Sequence, residues 1–484
     1  MAALTLSLIG DITRAADPDP GAAPLQTAPP QRTPPQQALV LQPSVGLEEI
    51  YTDNVDLSAT DRVSDLISRL YLSLDATLDT ARSQGHLDGS VGYDFYARQS
   101  FRSGFYGTGN GAASYALVPD LLTLKADAST ADGALSIIGY SATDRRGAPD
   151  VAQLTTFDVG PELSGRTPDG LEVKAAARFT QILYSNASGG PLLLLPSNDS
   201  IGQFTAAVAT DASRPLQLEN SAEYLRDTQD FTTVSDIQSV IYRVGAFGLI
   251  GRVGYDYITQ DQLHISAPTG SVGFEYKPNN SSTLTVETGS RYNRPAWTAN
   301  ATIEFSPRLL ATAAYVEEVE PDQVGVARSY FAFTQAPLIL PPPLVPTSFG
   351  VPPNVANATS FARTATFRGA YHDDANSLSV SGSWADREYL TIPGQDKTLV
   401  IDAAYTRTMR PDLSLTVHAD YGRSFESPTF PESTAIGGTI ELAYRLNSHT
   451  DLTLNFSRSQ TRQLGLGGEL VTENAVYETI RRAF

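Results

Sequence analysis

Leu70-Tyr-Leu-Ser-Leu-Asp-Ala-Thr-Leu-Asp79 is the stretch whose reading decides the fold. Leu70, Leu72, Leu74, Ala76 and Leu78 fall on one side of an extended chain, with Tyr71, Ser73, Asp75, Thr77 and Asp79 on the other. A period of two is that of a β-strand, and the two faces call for different solvents. The split returns over residues 87–96 and 171–180, and again near the C-terminus in Leu378–Trp384, Leu413–Tyr421 and Leu452–Ser457. Helical periodicity is nearly absent.

Connections between these segments alternate in length. Short reversals carrying Pro, Gly, Asn or Asp are expected at residues 82–85, 118–120, 166–170, 211–215, 277–280, 306–308, 372–376, 410–412 and 447–451, with a weaker one near 249–251. Longer polar or Gly/Pro-rich loops are expected around 99–108, 132–152, 184–199, 229–235, 261–268, 320–359, 389–396, 426–434 and 464–471. Gly107-Thr-Gly-Asn-Gly111 reads as a loop tip. The count is about 22 strands, within a range of about 18–22. Unpaired backbone groups are intolerable in lipid, so a strand-built protein crosses a membrane only as a closed barrel. The expected fold is therefore all-β: a closed antiparallel transmembrane β-barrel with short periplasmic turns and long extracellular loops. The 22 Tyr and 19 Phe, many near segment ends, suit aromatic girdles. A propeller or tandem sandwiches would also alternate, but no recurring signature with a period of 40–50 residues is visible.

Composition narrows the function. In 484 residues, 34 Lys+Arg stand against 53 Asp+Glu, a net charge of −19 that argues against nucleic acid as a partner. Cysteine is absent, which removes disulfides, thiolate metal sites and cysteine nucleophiles. His86, His264, His372, His418 and His449 are scattered singly, without metal-ligand spacing, so neither metal nor cofactor is expected. The chain reads as a non-enzyme. The one catalytic competitor, an outer-membrane lipase, would have to use His418 with a neighbouring serine.

Residues 1–16 pair an apolar run, Ala2–Gly10, with Thr13-Arg14-Ala15, in the manner of a truncated signal peptide. Residues 17–41 are Pro-rich and read as a disordered periplasmic arm; residues 42–484 read as the barrel. Only about forty residues precede the first strand, too few for the folded plug of a gated receptor. Phe484 ends an alternating strand and is the expected insertion signal for the barrel-assembly machinery. Stepping back by twos from it gives Arg482, Ile480, Glu478 and Val476, which is less apolar than a lipid-facing row should be.

Pro43-Ser-Val-Gly-Leu-Glu-Glu-Ile-Tyr-Thr-Asp-Asn-Val-Asp-Leu57 resembles the opening strand of a family of outer-membrane β-barrel porins that accompany exopolysaccharide and exosortase (PEP-CTERM) loci in Gram-negative bacteria. Tyr51-Thr52-Asp53-Asn54 carries the likeness, and the strands after it are similar in style. The resemblance implies an outer-membrane pore through which polysaccharide polymer leaves the cell. Periplasmic export proteins, docked through the Pro-rich arm, are a separate expected partner.

Polar strand faces should line a wet lumen. The expected lining residues are Asp75, Asp79, Asp88, Asp94, Arg98, Glu172, Lys174, Arg178, Asn300, Glu304, Asp402 and Asp420. Mixed charge and abundant hydroxyls suit a hydrated, sugar-like solute, and an acidic lumen favours cations or neutral polymer. Two apolar loop tips, one with Leu192 and Leu195 and the other with Leu338, Leu340 and Leu344, are expected to narrow the pore. The alternative is a barrel that conducts little and serves as an adhesive, structural or docking element in outer-membrane lipid.

Overall fold

The computed structural model describes residues 39–98, 100, 103–134, 151–185, 198–211, 214–261, 263–321, 358–391, 393–425, 432–463, 468 and 470–484. Among these residues every regular element is a strand. The wall opens with β1 (Leu39–Thr52), β2 (Asp65–Asp79), β3 (Ser83–Tyr96), β4 (Gly104–Val118), β5 (Leu122–Ala134), β6 (Val151–Arg166), β7 (Glu172–Ser185) and β8 (Asp199–Ala209). It continues through β9 (Leu216–Asp227), β10 (Thr232–Val244), β11 (Phe247–Gln260), β12 (Leu263–Tyr276), β13 (Thr283–Arg291), β14 (Arg294–Ser306) and β15 (Leu309–Pro321). The last seven are β16 (Thr359–His372), β17 (Asn376–Tyr389), β18 (Gln395–Arg410), β19 (Leu413–Ser424), β20 (Ser433–Asn447), β21 (Thr450–Gln463) and β22 (Leu470–Ala483).

Each strand pairs antiparallel with its neighbours in the chain, and β22 pairs with β1, so the 22-stranded sheet closes. Closure leaves no unpaired edge. Strands about 4.8 Å apart and tilted near 40° make such a cylinder about 40 Å across at the backbone. β1 begins and β22 ends at the rim where all connections are two to six residues long; at the other rim they run from two to 37.

The turn chemistry is local. Asp373 accepts the backbone N–H of Ala375 at 2.9 Å and of Asn376 at 2.7 Å, together with the Tyr371 phenol at 2.9 Å. Those donors, the Ala375 N–H foremost, hold its carboxyl well below the ordinary carboxylate range. Three local expectations need correction. The weak reversal expected near 249–251 lies at Gly245-Ala246, where Gly245 has φ +60° and the missing Cβ permits it. The loop-tip reading of Gly107–Gly111 fails because these residues are inside β4. A Cβ on Gly109 would stand 2.8 Å from the Asp88 carbonyl oxygen, so glycine is what lets β3 and β4 approach. Leu39–Leu41, assigned to the arm, already pair with β2. A two-residue hairpin, Tyr292-Asn293, joins β13 to β14 with φ of 57° and 61°, a left-handed reversal that its sequence does not announce.

Register places the faces. Leu70 and Leu72 are 58% and 65% exposed on the outside, while Asp65, Ile67 and Arg69, of the opposite parity on the same strand, turn inward and are buried. Around the outer face Tyr93, Phe95, Phe105, Tyr224, Tyr255 and Trp297 are exposed toward the long-loop rim, and Tyr242, Phe247, Phe305 and Phe484 toward the short-turn rim. Tyr96 and Tyr292 leave the girdle pattern and are buried inside.

The final strand carries the expected irregularity. Val476, Ile480 and Phe484 are exposed on the outer face, and Glu478, between them, shares it. Glu49 of β1 stands directly opposite, its carboxylate accepting the Ser68 hydroxyl at 2.8 Å. Like charges opposed in an apolar belt destabilise it. Glu478→Leu is therefore expected to stabilise the folded barrel by about 1–2 kcal/mol, read from urea unfolding in lipid vesicles; an unchanged or lowered midpoint would show that the carboxylate has a compensating partner.

Candidate functional site

The lumen-facing register gathers Asp75, Asp79, Asp88, Asp94, Glu172, Lys174, Arg178, Asn300, Glu304, Asp402 and Asp420 on the inner wall. Arg98 does not belong with them. It lies beyond β3, exposed at the long-loop rim, where its guanidinium donates to the Ser64 hydroxyl at 2.6 Å and its N–H to Asp65. Leu192, Leu195, Leu338, Leu340 and Leu344 lie outside the described residues.

On the inner wall, among the described residues, three pairs of carboxylates face each other directly across neighbouring strands: Asp75 with Asp88, Asp127 with Asp158, and Asp402 with Asp420. Opposed side chains of this kind sit about 5 Å apart at Cβ. Arg178 neutralises the middle pair, at 2.7 Å from Asp158 and 3.9 Å from Asp127. The Asp402–Asp420 pair instead has His418 beside it, with ring nitrogens 3.9 Å and 3.5 Å from the two carboxylates. His418 thus points into the lumen between acids rather than onto the lipid face.

The inner wall has two chemistries. On β2 and β7 to β13, arginines are tied to acids: Arg69 to Asp94 and Glu48, Arg243 to Glu275 at 2.6 Å, Arg252 to Glu287 at 2.9 Å and Arg291 to Asp256 at 3.2 Å. From β17 to β21 the inward positions are mostly hydroxyls and acids. Ser377, Ser379, Ser381 and Ser383 follow one another on β17; the Thr406 and Thr416 hydroxyls meet at 3.1 Å, and those of Thr439 and Ser457 at 2.8 Å. Glu441 and Asp420 extend the track.

Toward the long-loop rim the inner face turns apolar. Leu154, Ile182, Ile201, Leu225, Phe231, Ile258, Tyr292, Val319 and Phe361 form one buried collar running from β6 to β16. Counting by twos from Lys174 and Arg178 reaches Ile182, so this feature was readable in sequence as an apolar residue on a polar face. Val319, Thr359 and Phe361 should face outward by the alternation of β15 and β16. Instead Val319 and Phe361 join the collar, the Thr359 hydroxyl bonds to Gln260 at the top of β11, and Arg294 forks onto Glu388 at 2.7 and 3.1 Å. The top of this hairpin therefore leaves the cylinder and lies across the short hairpins beside it.

The Tyr51–Asn54 segment closes the ring. Thr52 donates to Glu473 at 2.7 Å; Asn54 Nδ2 donates to the carbonyls of Thr472 and Ser58, both at 2.9 Å, and its Oδ1 accepts the Ser58 N–H at 3.0 Å. Asp53 accepts the backbone N–H and side-chain amide of Asn474 at 2.8 and 2.7 Å. Thr52, Asn54 and Glu473 are 0% exposed, so this clasp between first and last strands is sealed from water.

No family model and no curated protein matches the sequence. Among solved structures, the chain is similar to the FrpB iron transporter from Neisseria meningitidis, with TM-score 0.47 and 11% identity over 92% of this chain and 81% of that one. It is also similar to OccAB4 from Acinetobacter baumannii, with TM-score 0.35 and 10% identity over 93% and 100%. A BenF-like porin from Pseudomonas fluorescens gives 0.36 and 10% over 92% and 99%. These likenesses are of fold alone.

Proposed function

We propose that this protein is a passive outer-membrane pore for hydrated neutral or cationic solutes, with an exported polysaccharide as its cargo. The observation that carries the reading is the track of hydroxyls and carboxylates on the inner faces of β17 to β21. Hydroxyl and carboxylate groups exchange hydrogen bonds with a sugar chain as readily as water does, so polymer slides without a deep binding well. The short-turn rim, where β1 begins and β22 ends, is periplasmic in this reading; export proteins would deliver polymer there, and the barrel-assembly machinery inserts the chain. The reading assigns no catalytic residue and no cofactor.

Planar-bilayer recording tests it. The refolded protein is expected to give stable steps, a cation-selective reversal potential in asymmetric salt, and block by neutral polysaccharide fragments. The apolar collar favours a second reading, a barrel that conducts little and serves in docking or adhesion, because an apolar constriction resists wetting. Absence of conductance from a correctly folded barrel would decide for it.

A further inference from the structure

Besides the Glu49–Glu478 pair at the β1–β22 seam, the outer face of β9 and β10 carries a cluster of polar side chains in the lipid-facing belt. Asn220, Asp236 and Gln238 all project outward here, and the Asn220 amide donates to the Asp236 carboxylate at 3.2 Å. Asp236 and Gln238 are exposed. Gln238 sits six residues above the short-turn end of β10 at Val244, about 15 Å up a strand tilted near 40° and so well inside a belt about 25 Å tall. Amides and a carboxylate left in hydrocarbon are costly. Above this stretch the rim is also low: four residues join β9 to β10, two join β11 to β12 and two join β13 to β14, whereas twelve join β1 to β2.

We propose that this face packs against a second copy of the chain about a two-fold axis parallel to the membrane normal, passing between β9 and β10. Such an axis preserves depth, and Asn220 is paired with Gln238 across the strands, so each copy's amides meet the other's at one level. The patch is self-complementary: Asn220 and Gln238 bring donors, Asp236 brings only acceptors, and each Gln238 amide reaches the Asp236 carboxylate across the axis. Ala222 on β9 keeps the contact shallow, and the four-residue connection between β9 and β10 keeps the rim low directly above the patch.

The absence of cysteine makes the test direct. Full-length Gln238→Cys in native outer membranes is expected to form a disulfide-linked species of twice the chain mass, while Ile440→Cys, exposed on the outer face of β20 far around the wall, is not. The variant Asn220→Leu/Asp236→Leu/Gln238→Leu is expected to run as a monomer by native mass spectrometry in lipid nanodiscs while keeping its heat-resistant fold. A monomeric wild-type protein in nanodiscs, equal cross-linking at 238 and 440, a different protein captured at Gln238→Cys, or a triple variant that stays dimeric would each overturn the proposal. None of these readouts depends on conductance, so the interface and the pore reading fail separately.

Discussion

Asn54→Ala is expected to destabilise the barrel by about 3 kcal/mol, because two carbonyls and an N–H lose their partner in a site closed to water. The unheated protein should then lose its compact, fast-migrating band on SDS gels, and its urea midpoint in lipid vesicles should fall. Asn54→Asp keeps the shape but turns the donating amide into an oxygen facing the carbonyls of Thr472 and Ser58. It should cost at least as much, which separates hydrogen-bond chemistry from packing. Asn54 acts on the one junction that joins strands 421 residues apart, Thr52 to Glu473, so its loss is felt as failure to close. Midpoints equal to wild type for both variants would mean that the backbone ladder of β1 and β22 closes the ring unaided.

Neutralising the first and third of the opposed carboxylate pairs, by Asp75→Asn, Asp88→Asn, Asp402→Asn and Asp420→Asn together, should lower the cation-to-anion permeability ratio. The four side chains line opposed positions on the inner wall. Charges of one sign on a low-dielectric wall raise the local cation concentration by their potential, and removing about 1–2 kT of it corresponds to roughly three- to sevenfold. Salt weakens the effect, since the Debye length at physiological ionic strength is about 8 Å against a lumen several times wider. The change is read as a reversal potential moving toward zero in asymmetric salt. Relief of like-charge opposition should leave the fold as stable as before or slightly more so. A reversal potential that does not move would place the selective field elsewhere.

The strands and their faces were legible because alternation is a local property. Leu70–Asp79 announces which side meets lipid and which meets water without reference to any other strand. Turns with Pro, Gly, Asn or Asp were legible for the same reason. Tyr292-Asn293 was not, since a bulky residue at positive φ is held by its buried surroundings rather than chosen by its neighbours in sequence. Gly107–Gly111 misled for the converse reason: glycine serves a turn and a close strand approach equally well.

In the lining, sequence reasoning could assign parity but not height or partner. Asp88 and Asp94 share one face of β3, yet Asp88 meets lumen water while Asp94 is buried against Arg69. By itself the sequence determined that this chain is a closed antiparallel barrel with an acidic, hydroxyl-rich inner face, because period-two patterning and the intolerance of lipid for unpaired backbone permit little else. Only the tertiary structure decided which acids are neutralised, where the apolar collar sits and what Thr52, Asp53 and Asn54 hold. Each of those depends on residues brought together across the ring, and register across the ring leaves no local trace in the chain.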